Sequence, residues 1–178
     1  STVELGWPNM AAQVRVKKVR TGPLKRRFAT MVRRSNNFKP VFRWAMRELA
    51  NAHEQLFATE GAAAGGRWER LNEEYASWKL ENYGANGILV ADGSLRRSLT
   101  AINSGRGVVR DIGASKAQFG TSIPYADYHF TGTRKMPERR PLFVPRTFSD
   151  RTAFIVGRYI MDGQKGIDAA AAAAKVTI

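Results

Sequence analysis

Between Phe38 and Phe57 the apolar residues fall at helical spacing: Phe42, Ala45, Met46, Leu49, His53 and Leu56 recur three and four apart and share one face. No other stretch commits so many consecutive residues to one element, and a helix with such a stripe needs a second layer to cover it. Ser35, Asn36 and Asn37 supply cap candidates ahead of it. His53 lies on the apolar side, where a lone histidine is expected to be a buried, hydrogen-bonded residue rather than a ligand.

Candidates for the covering layer follow in order. Gly61, Gly65 and Gly66, with alanines between them, make a flexible break that lacks the residue order of a phosphate loop. Asn72 then caps a helix with Glu73 and Glu74 in its first turn, Tyr75 and Trp78 on one face and Gly84 at its end. Ile88-Leu89-Val90, bounded by Gly87 and Asp92-Gly93, reads as a buried strand and a turn, and Leu95 and Leu99 repeat at four with Arg96 and Arg97 facing away. Val108, Val109 and Ile112 read as a second strand, with Ser104-Gly105-Arg106-Gly107 as a hairpin turn that only weakly mimics a phosphate loop.

Thr147 and Asp150 have capping-box spacing, and Phe148, Phe154, Ile155, Tyr159 and Ile160 can cover one face of a helix running to Gly163. At the other end, Gly6-Trp7-Pro8-Asn9 reads as an extended arm, Val14, Val16 and Val19 as a short strand, and Leu24 to Arg34 as a short basic helix. The predicted class is α+β: a small mixed domain with a long core helix, a hairpin-rich antiparallel sheet and a C-terminal helix. One domain is expected over residues 1–162, its basic N-terminal arm reaching to Arg34, with residues 163–178 an alanine-rich C-terminal extension that orders mainly through neighbours.

Composition narrows the chemistry. The 178 residues contain no cysteine and two histidines, which removes thiolate nucleophiles and cysteine-based zinc sites, and no spacing of carboxylates suggests a metal centre or an acid–base pair. No enzyme activity and no cofactor are expected. A formal net charge of +14 favours an anionic partner: nucleic acid, an anionic membrane surface or an acidic protein. No apolar run approaches the roughly 20 residues that span a bilayer, and the beginning of the sequence lacks the order of a secretory signal. The expected site of action is the cytoplasm or a particle assembled there, with no membrane partner.

The densest segment runs from Ile123 to Phe143. Pro124, Pro137 and Pro141 restrict the backbone, Gly132 supplies a turn, Tyr125, Tyr128 and Phe130 precede that turn, and Arg134, Lys135, Arg139 and Arg140 follow it. The reading is a shaped cationic loop entered by an aromatic anchor; a solvated basic surface loop is the plainer alternative. His129, between Tyr128 and Phe130, is expected to support the loop rather than act as a general base.

Taken in order, several motifs resemble the phage virion-morphogenesis or tail-completion (neck) protein family, typified by the G protein of phage Mu. They are Gly66-Arg67-Trp68-Glu69-Arg70-Leu71, Tyr75 and Lys79, Ile88 to Leu95 with Ser98, Ile112-Gly113, Tyr125 to Gly132, and Met136 to Phe143. Asp92-Gly93 and Phe130 depart from the family's usual Thr-Gly turn and histidine-glutamine pair. The resemblance covers about Leu49 to Tyr159 and leaves out the basic arm and the alanine-rich tail.

The resemblance implies a structural virion protein of the head–tail junction, a tail-completion, tail-terminator or neck ring that joins tail tube to head connector and is assembled in the host cytoplasm. The implied partners are further copies of itself, in a ring expected to be sixfold, the neighbouring head-connector or stopper ring, the tail tube protein and, at most in passing, DNA. Within that reading Arg134, Lys135, Met136, Arg139 and Arg140 are the expected interface residues, and Tyr125, His129, Gly132, Pro137 and Pro141 shape the loop. A basic nucleic-acid-binding protein of ribosomal or chromatin type is the alternative, supported by the pI near 10.8 and the basic run from Arg15 to Arg34.

Overall fold

The computed structural model describes residues 21–174. Among them are seven α-helices, a 3-10 turn and a two-stranded sheet. In order these are α1 (Gly22–Ser35), α2 (Lys39–Ala58), the 3-10 turn Ala62–Ala64, α3 (Glu73–Tyr83), α4 (Ser94–Thr100), β1 (Val108–Ile112), β2 (Ala117–Thr121), α5 (Ala126–Thr131), α6 (Phe148–Asp162) and α7 (Gln164–Ala174). The class is α+β, with the long central helix and the C-terminal helical region that the patterning predicts. The arm around Trp7 and the strand expected at Val14, Val16 and Val19 lie outside the described residues.

Helix α2 is the spine. Pro40 sits in its first turn, where a missing N–H has no intrahelical acceptor to lose. Twenty residues at about 1.5 Å each make a rod long enough to serve two core clusters. Val41, Trp44 and Ala45 pack with Ile155 and Tyr159 of α6 and with Ile167 and Ala170 of α7. At the other end Leu56 and Phe57 pack with Trp68, Ile88, Ile123, Ala126 and the Leu95 and Leu99 pair of α4. Asp92 starts α4 by accepting from the Ser94 N–H at 2.9 Å and the Ser94 hydroxyl at 2.6 Å.

His53 is fully buried where α2 passes the end of the Ile123 to Phe143 segment. Its Nδ1 lies 2.6 Å from the Leu49 carbonyl, and its Nε2 accepts from the Phe143 N–H at 3.2 Å. This pattern requires a neutral ring with the proton on Nδ1. Burial, aided by the nearby Arg110 guanidinium and opposed by the Leu49 hydrogen bond, holds its pKa below the ordinary value.

Strands β1 and β2 form an antiparallel hairpin with Val108 opposite Thr121 and Ile112 opposite Ala117. Arg110 fixes it to α4: its Nη2 donates to the Leu99 carbonyl at 2.9 Å, its Nη1 donates to Gly120 at 2.9 Å, and its guanidinium lies 3.7 Å from the centroid of Phe119.

Four local expectations are corrected. Ile88-Leu89-Val90 is a turn, not a strand. Leu89 adopts a φ of 60°, the Val90 N–H returns to the Gly87 carbonyl at 3.1 Å, and the Ile88 N–H donates to the Glu60 carboxylate at 3.0 Å, so Ile88 is buried as a plug. Ser104 to Gly107 is not the hairpin turn, which is closed instead by the Gly113 N–H donating to Lys116 at 2.8 Å. Gly107, at a φ of 76°, brings its backbone against Ile123; a β-carbon there would sit 2.4 Å from that side chain. Thr147 precedes α6 as expected, but its side chain makes no capping hydrogen bond.

The fourth correction concerns the C-terminus. Residues 164–174 are not a bare extension: α7 folds back on α6 after Gly163, and its Ile167 and Ala170 are buried in the same cluster as Val41 and Trp44. Small side chains permit this close approach. A β-carbon on Gly166 would fall 2.3 Å from the Arg158 carbonyl oxygen.

Candidate functional site

The segment from Ile123 to Phe143 is shaped by hydrogen bonds to distant parts of the chain. Pro124 precedes a short helix, α5, that the sequence reading did not include; it carries Tyr128, His129 and Phe130 and ends at Gly132, which has a φ of 67°. A β-carbon on Gly132 would sit 2.9 Å from the Glu138 nitrogen, so the backbone can double back only with glycine here. Thr133 and Met136 then pair across a tight turn, N–H to carbonyl at 2.7 and 3.2 Å, and leave Arg134 and Lys135 exposed at its tip.

Beyond the turn the chain becomes a strap rooted in the core. The Arg139 N–H donates to the His129 carbonyl at 2.8 Å, Trp68 Nε1 donates to the Arg140 carbonyl at 3.2 Å, Pro141 is buried, and the Phe143 N–H reaches His53. Gly132, Pro137 and Pro141 thus fall at the bend, just past the closed turn and at the root of one structure. The loop is rigidly presented rather than merely tethered.

The five residues expected at an interface do not share one environment. Arg134, Lys135 and Arg140 are exposed, and Met136 is half-buried. Arg140 pairs with Glu138 at 2.5 Å on the surface. Arg139 is the correction: it is only 4% exposed, with Nε donating to the Glu69 carbonyl at 2.7 Å and Nη2 to the Arg70 carbonyl at 3.0 Å. It points inward because the strap crosses the Trp68 to Leu71 segment, whose carbonyls need donors.

Between this strap and α3 lies a cleft of about 570 Å³, bounded by Tyr75, Tyr125, Tyr128, Leu89 and Met136 among others. Asn72 starts α3 by accepting from the Tyr75 N–H at 2.7 Å. Lys79, one turn beyond Tyr75 and 4% exposed, anchors the helix by donating to the Asn86 and Gly87 carbonyls at 2.9 and 2.6 Å. Burial lowers the Lys79 pKa, with Glu60 opposing, and also that of Arg139, with Glu69 and Tyr75 opposing.

His129 stands against Tyr125 edge to face at 6.1 Å. Its Nδ1 is buried with no hydrogen-bond partner among the described residues, and burial followed by the Arg139 charge lowers its pKa. Its support of the loop therefore runs through its backbone carbonyl and its ring face, and not through a side-chain hydrogen bond. Among the described residues nothing covers the outer face of α3: Trp78 stacks on Tyr75 at 5.6 Å and meets Tyr83 edge to face at 5.8 Å, and all three rings are exposed.

The cleft was not legible as a site. Lys79 had two usable signals, its place with Tyr75 among the motifs of the family resemblance and its spacing of four from Tyr75, which puts both on one helix face. The left-handed Leu89 and the inward turn of Arg139 had none. Among the described residues no three histidine, aspartate or glutamate side chains gather as metal ligands, and no helix is long and apolar enough to cross a membrane.

The family model for phage virion morphogenesis proteins matches residues 19–154, a span that contains the whole cleft, the strap and most of the core. The chain belongs to the phage virion morphogenesis family, and is a virion-associated protein with a structural or assembly role. The match begins ahead of α1, so the basic helix lies inside the family's span and not outside it as the motifs alone implied. No curated protein and no solved structure matches the chain.

Proposed function

We propose that this protein is a structural subunit of the head–tail junction, forming a tail-completion or terminator ring that joins the tail tube to the head connector. The observation that carries this reading is the placement of Arg134 and Lys135 at the tip of a turn whose root is tied to Trp68 and His53 in a family that builds virions. A preformed cationic tip loses little ordering entropy on docking, and exposed arginines match carboxylates on an adjoining ring. Ring closure, expected with six copies, needs one heterologous contact repeated around an axis, for which the bare aromatic face of α3 is suited. The role is that of a scaffold and not of a catalyst.

The test is electron microscopy of particles made with and without the protein. Labelled copies should form a ring where head meets tail, and its removal should leave separate heads and tails. Joined, infectious particles in its absence would overturn the proposal. Steeply salt-dependent DNA binding by a monomer, with no effect on joining, would instead favour the nucleic-acid reading.

A further inference from the structure

Lys79 and Arg139 are buried cations at the cleft, and neither forms a salt bridge with a carboxylate among the described residues. Each is held by two backbone carbonyls. An ammonium has three N–H groups and a guanidinium five, so both keep donors beyond those bonds. The buried Nδ1 of His129 is a further unpartnered polar atom on the same wall. Carbonyl dipoles compensate a buried charge only in part, and an anion completes the compensation.

The rest of the lining sets what else the ligand must carry. Tyr75, Tyr125, Tyr128, Leu71, Leu89 and Met136 give the cleft apolar and aromatic walls, which suit side chains flanking a carboxylate. We propose that the cleft docks an acidic peptide segment of a partner protein, one glutamate or aspartate reaching Lys79 and Arg139 while apolar neighbours lie against the tyrosines. A second copy of this chain is disfavoured as occupant of this cationic cleft, because its 15 acidic residues would enter accompanied by 29 basic ones; a ring contact through the aromatic face of α3 does not depend on that charge. A nucleic acid strand is disfavoured because both cations are recessed, within reach of one carboxylate on a flexible side chain but not of a continuous run of phosphates. The identity of the partner as another virion component rests on the head–tail reading; the chemistry of the docking does not.

The experiment selects peptides from a random library on the immobilised full chain, then titrates the best binder in solution. The expected consensus is a carboxylate residue flanked by leucine or aromatic residues. Replacing that carboxylate by its amide should weaken binding about tenfold or more, the ~1.4 kcal/mol or more of a charge-assisted contact. Tyr128→Ala, at a side chain 59% exposed, leaves the core untouched and should weaken it similarly. Selection of nothing, equal binding of the amide peptide, indifference to Tyr128→Ala, or displacement by a single-stranded oligonucleotide would each overturn the inference. These results come from the isolated protein, so their failure leaves the head–tail reading standing, whereas normal joining without the protein sinks that reading and leaves the titration intact.

Discussion

His53 ties two parts of the chain that are distant in sequence, and it can do so only as a neutral ring. With Nδ1 toward the Leu49 carbonyl and Nε2 accepting from Phe143, protonation would set a second N–H against a donor. The folded pKa values of His53 and His129 are both lowered. As pH falls the unfolded chain therefore takes up protons first. Stability should be complete above about pH 6.5 and decline as pH drops below it toward the folded values. Urea midpoints across that window should show the decline, and His53→Gln should be less stable but flatter with pH; an unchanged slope would mean His53 is not the titrating group. Arg139 and Arg134 make the complementary case. Arg139→Ala removes two buried charge-assisted bonds, each worth about 1.5–3 kcal/mol, whereas exposed Arg134→Ala should stay within about 0.5 kcal/mol. Equal losses in denaturant would mean that the inward geometry of Arg139 does not hold in solution.

At the scale of elements, α7 makes the sharpest prediction. Ile167 is 2% exposed between α2 and α6, so Ile167→Ala should destabilise by about 2–5 kcal/mol. An unchanged unfolding midpoint would restore the view of this segment as an appendage. Its composition hid the contact, because a run of alanines carries almost no hydrophobic period and the decision rests on one isoleucine and on how closely small residues let two helices approach. The α2 stripe was legible for the opposite reason: many large apolar residues at one period over-determine the face. Ile88 to Val90 was misread because a short apolar run demands burial without specifying how, and a turn held by Glu60 buries Ile88 as well as a strand would. In the Ile123 to Phe143 segment, proline and glycine foretold the bends, but the direction of each cation depended on carbonyls at Glu69 and Arg70. No local pattern encodes that.

For the molecule as a whole, the buried and exposed cations must be separated before the charge can be given a role. Reversing Arg139 would confound folding with docking, since its guanidinium is an internal support as well as part of the cleft wall. Arg134 and Arg140 are both exposed; among the described residues Arg140 pairs only with its near neighbour Glu138, a surface contact worth about 0–1 kcal/mol. The double variant Arg134→Glu/Arg140→Glu should therefore keep the unfolding midpoint close to that of the parent while presenting carboxylates where the proposed acidic partner ring offers its own. Like charges across a contact disfavour docking, so particles carrying this variant should accumulate as separate heads and tails, and raised salt should partly restore joining by screening the repulsion. Tyr128→Ala serves as a second probe on the cleft side of the loop, where any defect in joining should not depend on salt. If the double-glutamate variant folds and yields normal infectious particles at low salt, the cationic tip is not a joining surface, and the excess positive charge must act elsewhere on the molecule, with the exposed basic face of α1 next in line.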